Sequence, residues 1–355
     1  MSIQAQAITS GQKLLLNTLR SCAAQLVLIG HAFDFFWTEQ PLWLETIQLQ
    51  QVGVVIFFVI SGFLITASLS RQVEINTSIQ YPHQAWKNYF KARFVRIYST
   101  LFPALLIIAF FDIFLTQSFQ QDYPIDSGFY TGLINFLQLQ NAPFTNWQWF
   151  GSGFPLWSLA IEWWLYLLVP VCILSLRNIP WYGWLVAVIA MPFILHNMVA
   201  GIAPGIIFAW VMGSCAWFWL QKRINHWQAL VAVLSLAVIW FACTWPLRNS
   251  MDFAYQPGFM LCTGGLVIAL LALFKQYQPP LKLSFLEKPI KSLADYSFSL
   301  YLLHFSVLAA FVKFYGEWPD LNLIIAGVMS SNMLAWAFAK AFEWHWSSHI
   351  GWYRV

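Results

Sequence analysis

The chain has 355 residues, of which 59% are hydrophobic and only 9% charged, and its formal net charge is +4. Soluble domains carry about 25% charged residues, and they do not hide 32 Phe and 21 Trp in a core of this size. The composition excludes an ordinary soluble domain and predicts an integral membrane protein. So small a net charge gives no reason to expect a nucleic-acid partner. The five cysteines stand singly, without the spacing of metal ligands, so no metal is expected.

Hydrophobic runs long enough to cross a bilayer occur ten times along the chain. A spanning helix needs roughly 17–25 apolar residues, and helices or closed barrels alone satisfy the backbone in lipid. The runs therefore predict an all-α, polytopic membrane helix bundle with about ten transmembrane helices. The predicted spans are 14–36, 51–70, 100–116, 156–175, 181–199, 202–220, 228–246, 256–274, 293–314 and 321–341. The first run is too long for a signal-peptide core, so we expect it to stay as an anchor.

The basic residues are concentrated in every second loop of this topology. Lys and Arg are missing from loops 37–50, 117–155 and 200–201, and only Arg248 and Lys313 fall near that side of the bilayer. The positive-inside rule assigns the basic loops to the cytoplasm, and an even number of spans puts both termini there. The residues on the cytoplasmic side are then Lys13, Arg71, Lys87, Lys91, Arg93, Arg96, Arg177, Lys222, Arg223, Lys275, Lys282, Lys288, Lys291 and Arg354.

Two segments outside the spans differ in character. In 84–99, aromatic and aliphatic residues recur at helical spacing among four basic residues, which predicts a cytoplasmic helix lying in the membrane interface. The outer loop 117–155 has no basic residue and runs into the aromatic stretch "WQWFGSGFPLW". Loops of this length usually carry function or cover a site, although tryptophans are equally typical of an interfacial aromatic belt.

The first span carries Arg20 and His31, which are 11 residues apart. They fall within about 20° of one helix face and about 16 Å apart along the axis. An ionisable residue inside a span normally faces the bundle interior and marks a substrate or proton path. The alternatives are an arginine that extends to the inner interface and a histidine that only packs. Asp34, one turn after His31, either orients its ring or marks the outer end of the helix.

Other spans carry polar residues at similar depths. Glu162 lies about two turns from the outer end of the fourth span, where a carboxylate needs a partner or a proton; its depth suggests that it shares a cavity with His31. Tyr301 and His304 lie three residues apart on the ninth span, either as functional groups or as packing residues. Ser61, beside Gly62, is in a small-residue stretch that favours close helix approach.

Together these stretches resemble the acyltransferase 3 family of bacterial integral membrane acyltransferases. The resemblance covers most of the chain and rests on five motifs in order. They are Arg20 and His31; "FFVISGFLI"; Arg93 and Arg96 in "KARFVRIYSTLFPALL"; Trp157, Ser158, Leu159, Glu162 and Tyr166; and "SLYLLH" with Tyr301 and His304. The chain differs from the family at two positions, Asn17 and Val55, where members of the family often have an acidic residue. We expect a single membrane domain over 1–355, without the soluble esterase-like domain that many relatives carry after the last span.

The resemblance implies transfer of an acyl group, often acetyl, from acyl-CoA on the cytoplasmic side to a hydroxyl of a cell-surface or lipid-linked carbohydrate. It implies that Arg20, Arg93 and Arg96 bind the anionic donor, although Arg93 and Arg96 also fit topology and lipid contact alone. His31 is the expected base or acyl carrier, and Glu162 would hold its ring or bind the acceptor. The other expected lining residues of the cavity are Asp34, Ser61, Tyr166, Tyr301 and His304.

Two other classes of protein fit the same charges in the membrane. One is a transporter that uses them as a proton or substrate path, and the other is a structural or regulatory membrane protein. The resemblance favours the enzyme and implies a multi-pass protein of the bacterial cytoplasmic membrane, with membrane lipids around it. No motif encodes the acceptor or the length of the acyl chain.

Overall fold

The computed structural model describes residues 7–37, 48–77, 82–115, 126–143, 148–173, 181–247, 255–277, 284–316 and 320–344. Throughout these ranges the regular secondary structure is helical, which confirms the predicted all-α class. Both ends of the chain and part of the predicted outer loop lie outside the described residues. The helices are α1 (Ser10–Phe36), α2 (Leu49–Thr77), α3 (Pro82–Leu115), α4 (Phe129–Phe136), α5 (Leu156–Ile173), α6 (Trp181–Val199), α7 (Ile206–Leu220), α8 (His226–Leu247), α9 (Pro257–Lys275), α10 (Ser284–Asp295), α11 (Ser297–Tyr315) and α12 (Leu321–Phe338), which continues as a π-helical turn (Ala339–Glu343).

Six of the described helices are long and apolar enough to cross a membrane. The candidate stretches lie in α2, α3, α6, α9, α11 and α12, and shorter apolar helices form α5, α7 and much of α8. This agrees with a multi-pass membrane protein. Ten spans and the orientation of the termini remain predictions. α1 is 27 residues long but carries several polar side chains, in keeping with a helix that faces other helices on much of its surface.

The segment 84–99, predicted as an interfacial helix, is the amino-terminal part of α3. No break separates it from the predicted third span, because the helix runs continuously from Pro82 to Leu115 and tolerates Pro103 in its interior. Its most apolar part is only 33% buried, so α3 lies at the edge of the bundle. The interfacial position of its first turns remains a prediction.

The centre of the bundle is formed by α2 and α11, whose apolar stretches are 78% and 72% buried. α2 packs against α1 and α7, and α11 packs against α1, α3 and α12. Glycines set the closest approaches: a Cβ on Gly62 of α2 would lie 1.9 Å from the Trp210 carbonyl oxygen of α7. A Cβ on Gly53 would lie 2.6 Å from the Ala23 carbonyl oxygen of α1. The small-residue stretch therefore has the packing role that was predicted for it.

The start of α1 is fixed by its own sequence and by α9. Thr9 and Gln12 form a capping box, each bonding the other's backbone N–H. The Gln12 amide also donates to the Leu271 carbonyl oxygen of α9 at 3.2 Å. These contacts fix α1 along its axis, and with it the heights of Arg20 and His31.

Candidate functional site

A cavity of about 130 Å³ lies inside the bundle, walled by α1, α2, α3, α5 and α11. Its apolar wall comes mainly from α2, including Phe57, Phe58 and Leu64. Seven of the ten side chains predicted for the site line it, whereas His31, Asp34 and His304 are not among the lining residues. The polar side chains on the wall are Arg20, Ser61, Arg93, Arg96, Ser158, Glu162, Tyr166, Ser297 and Tyr301.

Glu162 is the acidic residue of this wall, and hydroxyl groups surround it. The Ser61 hydroxyl donates to Glu162 Oε1 at 2.5 Å, and the Tyr166 hydroxyl donates to the same oxygen. Glu162 and Tyr166 are four residues apart on α5, so they occupy one helix face. The indole N–H of Trp210 donates to Ser61 Oγ at 3.3 Å, which ties α7 to the same group. The carboxylate is thus held on one edge of the cavity by α2, α5 and α7.

Arg93 is the most deeply buried arginine of the wall, with 8% of its surface exposed. Its guanidinium lies 5.5 Å from the ring centre of Tyr89 and 5.6 Å from that of Tyr166, and it donates to Ser68 Oγ at 3.1 Å. Aromatic faces attract a guanidinium, and more strongly where water is excluded. The Tyr89 hydroxyl donates to the Tyr166 carbonyl oxygen at 3.0 Å, which fixes one ring against the other helix.

Arg96 and Arg20 complete a group of three arginines on the cavity wall. Arg96 follows Arg93 by one turn of α3 and is exposed. Arg20 reaches the cavity from α1, and its guanidinium donates to Ser297 Oγ of α11 at 3.5 Å. With one carboxylate on the same wall, three guanidinium groups give the cavity an excess of positive charge and suit it to an anionic ligand.

Tyr301 joins the wall from α11. Its hydroxyl lies 2.6 Å from Ser158 Oγ and also donates to the Pro155 carbonyl oxygen at 3.2 Å. Ser158 is one turn before Glu162 on α5, so the two line the same side of the cavity. Tyr301 therefore forms the boundary between the cavity and the histidines that lie beyond it.

His31 lies next to the cavity wall, in contact with α11. Its ring stacks on that of His304, with centroids 5.4 Å apart and planes inclined by 26°. Phe154 and Phe305 present their rings edge-on to it at 6.2 and 5.2 Å. His31 Nδ1 is 3.5 Å from Asp34 Oδ2. The same oxygen accepts the Gln50 side-chain amide at 2.9 Å, so the role of Asp34 in orienting the ring remains a prediction.

His304 is 1% exposed. Its Nδ1 lies 3.0 Å from the carbonyl oxygens of Leu300 and Tyr301, which requires a proton on Nδ1 and leaves a lone pair on Nε2 of the neutral ring. Within the described structure this buried Nε2 has no hydrogen-bond partner. The ring centre of His304 is 6.0 Å from that of Tyr301. A row of side chains thus leads from His31 through His304 and Tyr301 to Ser158 on the cavity wall.

Sequence reasoning missed two buried carboxylates. Asp112 of α3 is 0% exposed and accepts the backbone N–H of Ser152. Glu343 lies on the π-helical turn and accepts the Ser299 hydroxyl at 2.6 Å. Both are single acidic residues in apolar runs, the signal by which Glu162 was found. In the described ranges, no three His, Cys, Asp or Glu side chains are grouped so as to hold a metal ion.

An apolar helical bundle in which three arginines and one glutamate line a cavity between the helices defines a multi-pass membrane protein with a polar site. Residues 14–340 match the model of the acyltransferase 3 family, which is described as an acyltransferase domain. Because the match spans most of the chain, the protein belongs to this family of acyltransferases. The resemblance stated from the motifs is thereby confirmed.

Curated relatives carry related names. The chain is 26% identical over 329 residues to the peptidoglycan O-acetyltransferase OatA of Listeria monocytogenes, covering 82% of this chain and 49% of the relative. It is 21% identical over 339 residues to the O-acetyl transferase of Shigella phage Sf6, covering 90% and 92%. It is 26% identical over 195 residues to nodulation protein 10 of Rhizobium leguminosarum, covering 51% and 50%. The chain thus spans about half the length of the Listeria relative. No solved structure matches it.

Proposed function

We propose that the protein moves an acyl group, acetyl in the simplest case, from acyl-CoA on the cytoplasmic side to a hydroxyl of a cell-surface or lipid-linked carbohydrate. The observation that carries the proposal is the meeting of three arginines and one carboxylate, from α1, α3 and α5, in one cavity between the helices. Family membership and the O-acetyltransferase names of two relatives support the reaction type. We further propose that the enzyme resides in the bacterial cytoplasmic membrane.

The arginines are assigned to the donor. Acyl-CoA carries several phosphate charges, and a planar guanidinium binds phosphate through two parallel hydrogen bonds. Arg93 is held between two tyrosine rings and bonded to Ser68, so its direction is set before a ligand arrives. Arg96 is more exposed and would meet the donor first, while Arg20 extends from α1 toward the thioester end. The apolar wall of α2 would then lie along the pantetheine arm and the acyl group.

His31 is assigned to the proton transfer. A sugar hydroxyl is a poor nucleophile at neutral pH, and a neutral imidazole is the side chain best suited to take its proton. As the hydroxyl oxygen bonds to the thioester carbonyl, its proton passes to the imidazole, the C–S bond breaks, and the thiolate leaves and is protonated to CoA. Asp34, at 3.5 Å, would orient the ring. Glu162 bonds hydroxyls rather than the imidazole, so we assign it to the acceptor.

A two-step route satisfies the same geometry. His31 would then attack the thioester itself, release CoA and carry the acyl group until the hydroxyl takes it. The two routes differ in a measurable species. Incubation with labelled acetyl-CoA and no acceptor leaves a hydroxylamine-sensitive label on the wild-type protein, and none on His31→Ala, only when an acyl-histidine forms.

The test of the proposal is acyl transfer by the purified protein. Labelled acetyl-CoA and a carbohydrate fraction of the cell envelope should yield free CoA and a labelled glycan. His31→Ala should abolish both products while thermal unfolding stays as in the wild type. His226→Ala is the matched control, because His226 is exposed and lies outside the cavity wall. Full activity of His31→Ala in the presence of a folded protein would remove His31 from the mechanism.

One observation favours a transporter as the second candidate. The row from His31 to Ser158 places titratable and hydroxyl groups one after another inside the bundle, as proton paths do. A transporter would show gradient-driven uptake in vesicles without consumption of the thioester. An enzyme would instead release CoA only when an acceptor is present, and vesicles would show no uptake.

A further inference from the structure

Asp112 is a buried carboxylate that the proposed reaction does not use. It faces the turn 150–155, which comes directly before α5 in the chain and lies in space between α3 and α11. Both Asp112 oxygens accept the Ser152 backbone N–H, at 3.1 and 3.2 Å. The Ser152 hydroxyl donates to Ser306 Oγ of α11 at 2.7 Å, and the Ser306 hydroxyl donates back to the Ser152 carbonyl oxygen at 3.4 Å. The turn is therefore held from both sides, by one helix at its N–H and by the other at its hydroxyl.

The turn has the shape that this contact requires. Gly151 has a φ of +53°, a conformation that glycine adopts without strain. A Cβ there would lie 1.6 Å from Asp112 Oδ2, so a side chain at this position would displace the carboxylate. A carboxylate in an apolar span is costly unless its hydrogen bonds are satisfied. Gly151 leaves the space that the Asp112 carboxylate fills, and the carboxylate accepts the N–H of the next residue, Ser152.

The residues that follow in this turn touch the candidate site. The Phe154 ring lies edge-on to His31 at 6.2 Å and 5.5 Å from the Phe305 ring. The Pro155 carbonyl oxygen accepts the hydroxyls of Tyr301 and Ser158, at 3.2 and 3.3 Å. One short turn thus contacts both ends of the row that joins His31 to the cavity.

We propose that Asp112 is a positioning residue, which fixes the turn 150–155 through Ser152 so that Phe154 covers His31 and the Pro155 carbonyl orients Tyr301. Its effect on catalysis rests on the proposed function, whereas its effect on the turn does not. Without the carboxylate the turn loosens, water reaches His31, and Tyr301 loses a fixed acceptor. Donor binding is unaffected, because neither Asp112 nor the turn is part of the arginine group. The expected kinetic result is a fall in kcat with an unchanged KM for acyl-CoA.

The full-length Asp112→Ala protein in detergent tests the proposal with two readouts that need no activity. One is the rate at which diethylpyrocarbonate modifies His31, measured by mass spectrometry against the exposed His226 in the same sample. The other is amide hydrogen exchange in a peptide covering 150–156. Loss of a hydrogen bond predicts a rise of about tenfold in both rates. Asp112→Asn keeps one oxygen acceptor and should give a smaller rise.

Asp320→Asn is the matched control, because Asp320 also accepts a backbone N–H, that of Asn322 at 2.7 Å, but caps α12 and has no bond to the turn. It should change neither rate. Wild-type rates in folded Asp112→Ala would overturn the proposal. Should that variant not fold, Asp112→Leu, which also removes the acceptor but fills the same space, takes its place, and wild-type rates in that variant would overturn the proposal equally.

The kinetic arm separates this inference from the proposed function. Faster modification of His31 in Asp112→Ala, together with a wild-type protein that transfers no acyl group, would refute the proposed function and support the positioning of the turn. A wild-type enzyme that transfers acyl groups, with kcat unchanged in Asp112→Ala, would leave the function standing and refute the role of Asp112.

Discussion

Replacing Gly62 by alanine is expected to force α2 and α7 apart. The new Cβ would lie 1.9 Å from the Trp210 carbonyl oxygen and 3.0 Å from the Ser214 nitrogen. Nonbonded atoms rest about 3.5 Å apart, so the helices must separate locally by roughly 1.5 Å. Gly213 makes the reciprocal contact, since its Cβ would lie 1.9 Å from the Val59 carbonyl oxygen. The crossing therefore leaves no room for a methyl group on either helix.

The expected cost follows from two opposing effects. Overpacking of a well-packed interface costs typically about 1–3 kcal/mol, and replacing glycine by alanine inside a helix returns up to about 1 kcal/mol. The net effect is a loss of about 1–2 kcal/mol in the free energy of unfolding. The shift also lengthens the 3.3 Å bond from Trp210 to Ser61, which bonds Glu162, so acyl transfer should fall as well.

Thermal unfolding in detergent, followed by tryptophan fluorescence, measures the effect. Gly258→Ala is the matched control, because among the described residues no atom outside its own helical turn lies within 4 Å of a Cβ built there. It should unfold at the wild-type temperature or slightly above, whereas Gly62→Ala should unfold at a lower one. An unfolding temperature of Gly62→Ala equal to that of Gly258→Ala would refute the close crossing of α2 and α7.

Glu162→Gln, Arg93→Lys and Asn332→Leu test three other contacts. Glu162→Gln replaces the carboxylate that two hydroxyls bond. The transfer rate from labelled acetyl-CoA should fall by about tenfold, because the acceptor loses a hydrogen-bond partner; a wild-type rate would exclude its role. Arg93→Lys keeps the charge but loses the planar fork, so KM for acyl-CoA should rise about tenfold, while Arg71→Lys, outside the cavity wall, should leave KM unchanged. Asn332→Leu removes the two bonds to Gln25, at 2.7 and 3.2 Å, and should lower the free energy of unfolding by about 1–3 kcal/mol; an unchanged unfolding temperature would contradict this.

The arginine and histidine of α1 illustrate how far periodicity reaches. Their spacing predicted one shared helix face, and both side chains do lie on the side of α1 that meets α11. Arg20 lines the cavity, whereas His31 stacks on His304 beyond its wall. Along the 27 residues of α1, one helix face meets different neighbours at different heights. Periodicity therefore predicts which face a residue occupies, but not which residue it contacts.

Glu162 shows a similar division. Its place in an apolar run predicted that it needs a partner, and the sequence offered His31 on the basis of depth alone. The structure supplies Ser61 and Tyr166 instead. Tyr166 is predictable from its four-residue spacing on α5, but Ser61 is 101 residues away and reaches Glu162 only because α2 packs on α5.

The sequence by itself determined that the chain is helical and embedded in lipid, because a backbone without water has almost no other way to satisfy its hydrogen bonds. It also determined the family, through polar residues that an apolar span tolerates only for a purpose. Only the tertiary structure decided which helices meet: α2 against α7, α11 at the centre, and the 150–155 turn held between α3 and α11. Lipid is as apolar as the helix surfaces, so hydrophobicity does not choose helix partners. That choice falls to close-packed glycines and to hydrogen bonds between residues far apart in the chain.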